Sequence, residues 1–317
     1  MHPELTVADL IFNTPLAVSP AKLDVVLSVL AQRLNIVSVN GFDFTRAMHE
    51  NEPDTQAASG KQSQGFQDIG NGVALINISG SLMHRTRGLD AMSGLASYKS
   101  LSSSFAAAMN DESVLHTVLH MDTPGGQTNG LPDFVDEIFS ARGIKPITAI
   151  VDDSAFSAGM WIAAAADEIV VSRTGGVGSI GVLGVHTDRS QMLADNGVKV
   201  TLVTSGKKKA MLADTQPLSS DGLEFLQALV DEQASMFIDS VASMMGLSTK
   251  AVREQEAGVF FGAKAVQAGL AHRVQPADQA LRDIVARYAP NRNAPTANLK
   301  QPGRIARAAQ AMRIASA

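Results

Sequence analysis

Between residues 72 and 274 the apolar positions switch repeatedly between two periods. Short runs rich in Val, Ile and Leu, each reading as a strand, fall at Gly72–Ile78, His116–Met121, Ile147–Val151, Glu168–Ser172, Ile180–His186 and Val198–Thr204. Helical spacing separates them, at about Leu95–Met109, Leu131–Ala141, Ser157–Ala166 and Asp188–Asn196, the last ended by Gly197. A longer helix over Ser219–Met245 sets Leu223, Leu226, Val230, Phe237, Val241 and Met244 on one side. A short helix within Phe260–Leu270 and a strand near His272–Val274 close the pattern. Strands alternating with helices in this way predict an α/β fold of stacked βαβ units around a largely parallel sheet.

The flanks read differently. Residues 1–18 carry little regular signal, and Ser19-Pro20 then starts a helix with Leu23, Val26, Leu27, Leu30 and Leu34 along one stripe. Residues 1–47 are thus expected to form an N-terminal helical extension. The polar stretch 48–70 has too few apolar side chains to offset the entropy of ordering, and reads as a linker before a domain spanning 71–288. Pro290, Pro295 and Pro302 break the chain beyond it, so 289–317 is expected to be a flexible tail. That tail holds Arg292, Lys300, Arg304, Arg307 and Arg313 and no acid, so it carries +5, and with a net charge of −5 residues 1–288 carry −10. An acidic body argues against a nucleic-acid partner.

Composition removes several chemistries. The absence of cysteine excludes disulfides, thiolate metal sites and a cysteine nucleophile. No apolar run approaches the ~18 residues of a membrane span, and the start lacks the basic and apolar regions of a signal peptide, so a cytoplasmic protein is expected. The seven histidines show no metal-ligand spacing, and His116 and His120 fall on a core strand, where they read as structural. Neither a metal nor a cofactor is expected.

Ser157 follows a strand and opens a helix, at the carboxyl end of a parallel sheet where α/β sites gather. Its hydroxyl needs a base to become nucleophilic. The helix start would place the Ala158 N–H beside a developing oxyanion. The same spacing serves an N-cap equally well, and Ala155 in place of a glycine excludes the G-x-S-x-G elbow. Asp122-Thr123-Pro124-Gly125-Gly126 at another strand end allows close backbone approach and offers the Gly126 N–H as a second oxyanion donor. No histidine has a neighbouring carboxylate in a site-like context, and a lysine can serve as base in its place if burial lowers its pKa enough to keep it neutral. Lys207, Lys208 and Lys209, after the Gly206 turn, are the candidates, and the residues alone do not choose among them.

Taken in order, D-T-P-G-G, F-S-A-G-M-W-I-A-A-A-A-D, T-G-G-V-G-S-I-G-V, S-G-K-K-K and F-F-G-A-K-A-V-Q-A-G-L-A resemble the signal peptide peptidase A family of Ser–Lys peptidases. The resemblance covers Asn71 to Val274, about two-thirds of the chain, and implies the Clp protease/crotonase-like fold. It implies Ser157 as nucleophile, Lys209 as general base, Ser179 as the serine orienting that lysine, and Gly126 and Ala158 as the oxyanion hole. Phe156 before the serine and Ala158-Gly159 after it depart from the Gly-Gly common in the family, which bears on pocket shape.

Phe12-Asn13-Thr14-Pro15-Leu16, the following helix and the polar linker are similar to the phage branch of that family, the head maturation or capsid assembly proteases. This implies a serine endopeptidase acting on capsid, scaffold or portal proteins and on itself, in a homo-oligomeric ring within the host cytoplasm or procapsid. A soluble enzyme degrading signal peptides or short chains is the alternative within enzymes. A catalytically silent assembly protein is the alternative outside them.

Overall fold

The computed structural model describes residues 15–18, 38–39, 42–43, 65–85 and 95–289. The helix expected from Ser19-Pro20 and the basic tail beyond Ala289 lie outside the described residues.

The main sheet is built on three parallel strands. β5 (Val73–Ser79), β8 (His116–Thr123) and β10 (Ile147–Phe156) lie side by side, with Leu75 opposite Val118 and Val118 opposite Thr148. β4 (Gln67–Asp68) adds an antiparallel edge to β5. At its other edge β10 forks. Its first half pairs in parallel with β11 (Glu168–Val171), which is followed outward by β15 (Arg273–Val274). Its second half pairs in parallel with β12 (Gly176–Gly178), which carries β14 (Val259–Phe261) antiparallel. The β8–β10 register shifts between Val151 and Ala155, where the sheet divides.

A second sheet runs β13 (Leu183–Gly184), β1 (Pro15–Val18), β9 (Gly125–Gln127), β6 (Ser81–Met83) and β7 (Leu95–Ser97), in that order. β2 (Ser38–Val39) and β3 (Phe42–Asp43) pair with each other.

Parallel strands buried on both faces need apolar side chains on both, and the sequence supplies them. On one face Ala74, Ile76, Ile78, Leu119, Met121, Ala149 and Val151 pack beneath helices α1 (Tyr98–Asn110), α2 (Leu131–Ser140), α3 (Ala158–Ala164) and α5 (Ser220–Met245). On the other, Val73, Leu75, Val118, Ile150 and Val170 are covered by Ala277, Ala280 and Ile284 of α8 (Ala277–Arg287). α4 (Ser190–Asp195), α6 (Thr249–Arg253) and α7 (Ala263–Gln267) are short surface elements. The expected α/β architecture of stacked βαβ units is present.

Four local differences matter. β10 continues five residues past Val151, which brings the strand up to Ser157. Residues 198–204, patterned as a strand, form none and lie largely exposed, because no neighbouring strand offers a ladder. Of the strand expected over Ile180–His186 only Leu183–Gly184 pairs. The sheet also begins upstream of Asn71, since Gln67 and Asp68 of the polar stretch pair with Leu75 and Ala74.

On α5 the expected apolar stripe is partly rotated. Leu226, Phe237, Ile238, Val241 and Ala242 are buried, whereas Leu223 is exposed. Ser219 caps the helix start by accepting from the Gly222 N–H at 3.1 Å, and Gly246 ends it at φ 67°.

His116 is structural, as its place on a core strand predicts. Its ring lies between Thr148 Oγ1 at 3.0 Å and the Tyr288 hydroxyl at 3.1 Å, tying β8 to the end of α8. Burial first, and the Arg287 charge second, push its pKa down to about 4. The folded state therefore keeps the ring neutral while the unfolded chain protonates it below about pH 6.5. Stability should be unaffected by this group above pH 6.5 and should fall by up to about 3 kcal/mol as pH drops toward 4. Urea unfolding midpoints at pH 7 and pH 4.5 check this, with His116→Gln flattening that part of the acid limb.

Candidate active site

Ser157 occupies the last step of β10 before α3 begins. It adopts φ 53° and ψ −114°, a backbone conformation costly for a residue with a Cβ, and it is 1% exposed. Its N–H donates to the Gly178 carbonyl at 2.8 Å, extending the β10–β12 ladder by one rung. That rung puts Ser157 beside Ser179, the next residue along. Ser179 is itself at φ 56°, buried, and donates its N–H to the Gly258 carbonyl at 2.8 Å. The Ser157 hydroxyl points to the Gly181 carbonyl at 3.4 Å. Two strained serines are thus fixed on adjacent turns by main-chain bonds.

The DTPGG turn reaches the same place through glycine. A Cβ on Gly159 would lie 2.5 Å from Thr123 Cγ2, so only a bare backbone lets the start of α3 sit on the end of β8. Thr123 is held there by its hydroxyl, which donates to the Gly80 carbonyl at 2.6 Å and accepts from the Gly125 N–H at 3.1 Å. Gly126 runs against the Leu82 backbone with no room for a side chain. β9 is pinned at its far end, where the Tyr98 hydroxyl donates to the Gln127 carbonyl at 2.7 Å. Ala158 is the first residue of α3, so its N–H has no acceptor within the helix.

At the other end of α3, Arg142 does work that the sequence did not reveal. Its guanidinium donates to the carbonyls of Ala164 and Ala166 at 2.6 Å, Ala165 at 2.9 Å and Met244 at 3.3 Å. It satisfies the orphan carbonyls at the helix end and places positive charge at the negative pole of its dipole. Below the helix Trp161 stacks on Phe237, with centroids 4.5 Å apart. Phe156 meets Phe261 edge to face over Gly176. α3 is therefore clamped at its start, its end and its buried side.

Of the expected site residues, Ser157, Ala158 and Ser179 lie together, while Gly126 sits within β9, paired with Leu82 of β6 and Ala17 of β1. Lys209 does not join them: it lies in an exposed turn, its N–H donating to the Gly206 carbonyl at 3.0 Å. Lys208 sits over the Phe225 ring at 5.3 Å. None of the three lysines hydrogen-bonds to either serine. Among the described residues no cluster of His, Asp or Glu has the form of a metal site, and no helix is long and apolar enough to cross a membrane.

Fold and site together define an α/β protein in which a strained, buried serine ends a parallel strand beside two glycine turns. Residues 140–287 match the model of peptidase family S49. It is 36% identical to capsid assembly protease C of Escherichia phage lambda over 271 residues, which is 84% of this chain and 62% of that protein. It is 33% identical to the head-tail preconnector protein GP5 of Enterobacteria phage P21 over 276 residues, 85% of this chain and 55% of that one. A putative signal peptide peptidase SppA of Enterococcus faecium is 27% identical over 176 residues, 55% of this chain and 51% of that protein. The chain thus spans about three-fifths of the length of the two phage relatives.

The Gly159–Thr123 contact is testable as a pair. Gly159→Ala should destabilise the chain by about 1–3 kcal/mol through overpacking. Thr123→Ser, which removes only Cγ2 and keeps the hydroxyl, should restore most of that loss in the double variant. Thermal unfolding of the two single variants and the double variant measures the coupling. Additive losses would contradict it.

Proposed function

We propose that the chain is a serine endopeptidase in which Ser157 attacks the substrate carbonyl and Lys209, oriented by Ser179, takes the hydroxyl proton. The observation that carries this reading is the Ser157 turn itself. A buried hydroxyl on a φ 53° backbone, packed by Gly159 against the DTPGG turn, is a costly arrangement with no packing benefit of its own.

The chemistry follows from position. Attack by Oγ on a peptide carbonyl forms a tetrahedral oxyanion, for which the N–H groups of Ala158 and Gly126 are the proposed donors. The proton taken by Lys209 passes to the departing amine, leaving an acyl-enzyme ester on Ser157. Water, deprotonated by the same lysine, then releases the acid and restores the serine.

For Lys209 to act as base, residues 198–209 must fold so that its amine is desolvated beside Ser157. That arm exposes Val198, Leu202 and Val203, an apolar row that fits burial against a second copy in a homo-oligomeric ring. The two phage relatives, whose names describe capsid assembly and a head-tail preconnector, support capsid, scaffold or portal polypeptides as substrates, within a procapsid or the host cytoplasm. The signal peptide peptidase relative supports the second reading, degradation of signal peptides or short chains.

Ser157→Ala and Lys209→Ala should each abolish cleavage of an unstructured polypeptide while leaving the thermal midpoint within a few degrees of the parent. Full activity in either variant, read by gel and mass spectrometry, would sink the assignment.

A further inference from the structure

β1 is the one strand of the second sheet that comes from far upstream of the domain. It is inserted between two strands that belong to the site. On one side Leu16, Ala17 and Val18 pair with Gln127, Gly126 and Gly125 of β9. On the other, Pro15 and Leu16 pair with Gly184 and Leu183 of β13, which follows the Ser179 turn by four residues. Both pairings are antiparallel.

The walls of this slot are anchored without β1. β9 is fixed by the Tyr98 hydroxyl on the Gln127 carbonyl and by its parallel pairing to Leu82 of β6. β13 lies directly on α5, where a Cβ on Gly184 would stand 2.9 Å from Leu226 Cδ1 and 3.0 Å from Val230 Cγ2. Take β1 away and two unpaired strand edges face each other across the width of one strand, roughly 10 Å. Such a gap accepts one extended backbone and reads it by main-chain hydrogen bonds rather than by side chains.

Direction adds the chemical point. Val18, the carboxyl end of β1, lies opposite Gly125. Gly125 is the end of β9 next to Thr123, and Thr123 touches the Ser157 turn through Gly159. A chain seated as β1 is seated leads its following peptide bonds toward Ser157. Pro15 stands at the first position of the strand, where a missing N–H costs the ladder least.

We propose that Pro15–Val18 is a resident occupant, in cis, of the slot that receives extended polypeptide substrate, and that it must leave before another polypeptide can enter. This rests on the peptidase reading and deepens it. A tethered segment competes at an effective concentration on the order of millimolar. A free peptide making the same backbone pairs therefore binds weakly until β1 is released. Successive N–H groups along a strand point to opposite neighbours, so Leu16→Pro and Ala17→Pro each remove a donor toward a different wall.

The test is a binding measurement in the full chain carrying Ser157→Ala, which keeps hydrolysis out of the readout. The probe is a fluorescein-labelled synthetic peptide of residues 12–20, followed by fluorescence polarisation. Leu16→Pro and Ala17→Pro should each tighten its binding at least about tenfold. Hydrogen exchange at Gln127 and Leu183 should quicken in the same variants when no probe is present. Replacement of residues 15–18 by alternating Gly and Ser gives the same comparison without proline, and an unchanged thermal midpoint certifies the fold of all three. Equal affinity in parent and variants, whether tight or absent, overturns the proposal. A chain that shows the tenfold gain yet never cleaves in its Ser157 form would fail the peptidase reading alone.

Discussion

The ladder between β8 and β10 is the constraint on which the rest of the molecule depends. It is parallel and buried on both faces, and it holds two strand ends side by side: DTPGG after β8, and Ser157 after β10. The register shift between Val151 and Ala155 lets β10 leave β11 and take up β12 instead. That change of partner delivers the second serine turn, because the Ser157 N–H continues the new ladder onto Gly178. One forked strand thus places Ser157, the glycine turn and Ser179 in the same corner.

Glycine decides how closely these parts approach. Gly159 lets α3 rest on Thr123, and Gly126 lets β9 rest on β6. Arg142 holds the far end of α3 with three carbonyl contacts and ties it to α5 through a fourth, at Met244, which opposes sliding of the helix. The helix is short and buried along its whole length, and its position is over-determined. Backbone strain of this kind persists only where the surroundings enforce it.

Much of this was legible in the sequence, for identifiable reasons. Parallel strands buried on both faces announce themselves as unbroken Val, Ile and Leu runs, and β5, β8, β10 and β11 fell within a few residues of their expected places. Ser157 and DTPGG stood out because strand ends followed by Gly or a helix start are where α/β sites form. The rest depended on partners that pattern cannot supply. Residues 198–204 have strand-like periodicity but find no ladder within one chain. β1 is invisible in a stretch of weak signal because its ladder partners, β9 and β13, lie more than 100 residues away along the chain. Arg142 looks like any arginine after a helix until the Ala164–Ala166 carbonyls are seen around it. Lys209 is identified by resemblance to a family, and its exposed position ties any role as a base to assembly or closure of the arm that carries it.

The central claim is that Ser157 is a nucleophile and not a helix cap. Its most direct test is covalent: incubate the full chain with a peptidyl phosphonate serine probe, digest it, and locate the adduct by mass spectrometry. The account predicts a single adduct on Ser157, absent after denaturation and absent in Ser157→Ala. An unmodified Ser157, or labelling that survives denaturation, would contradict it.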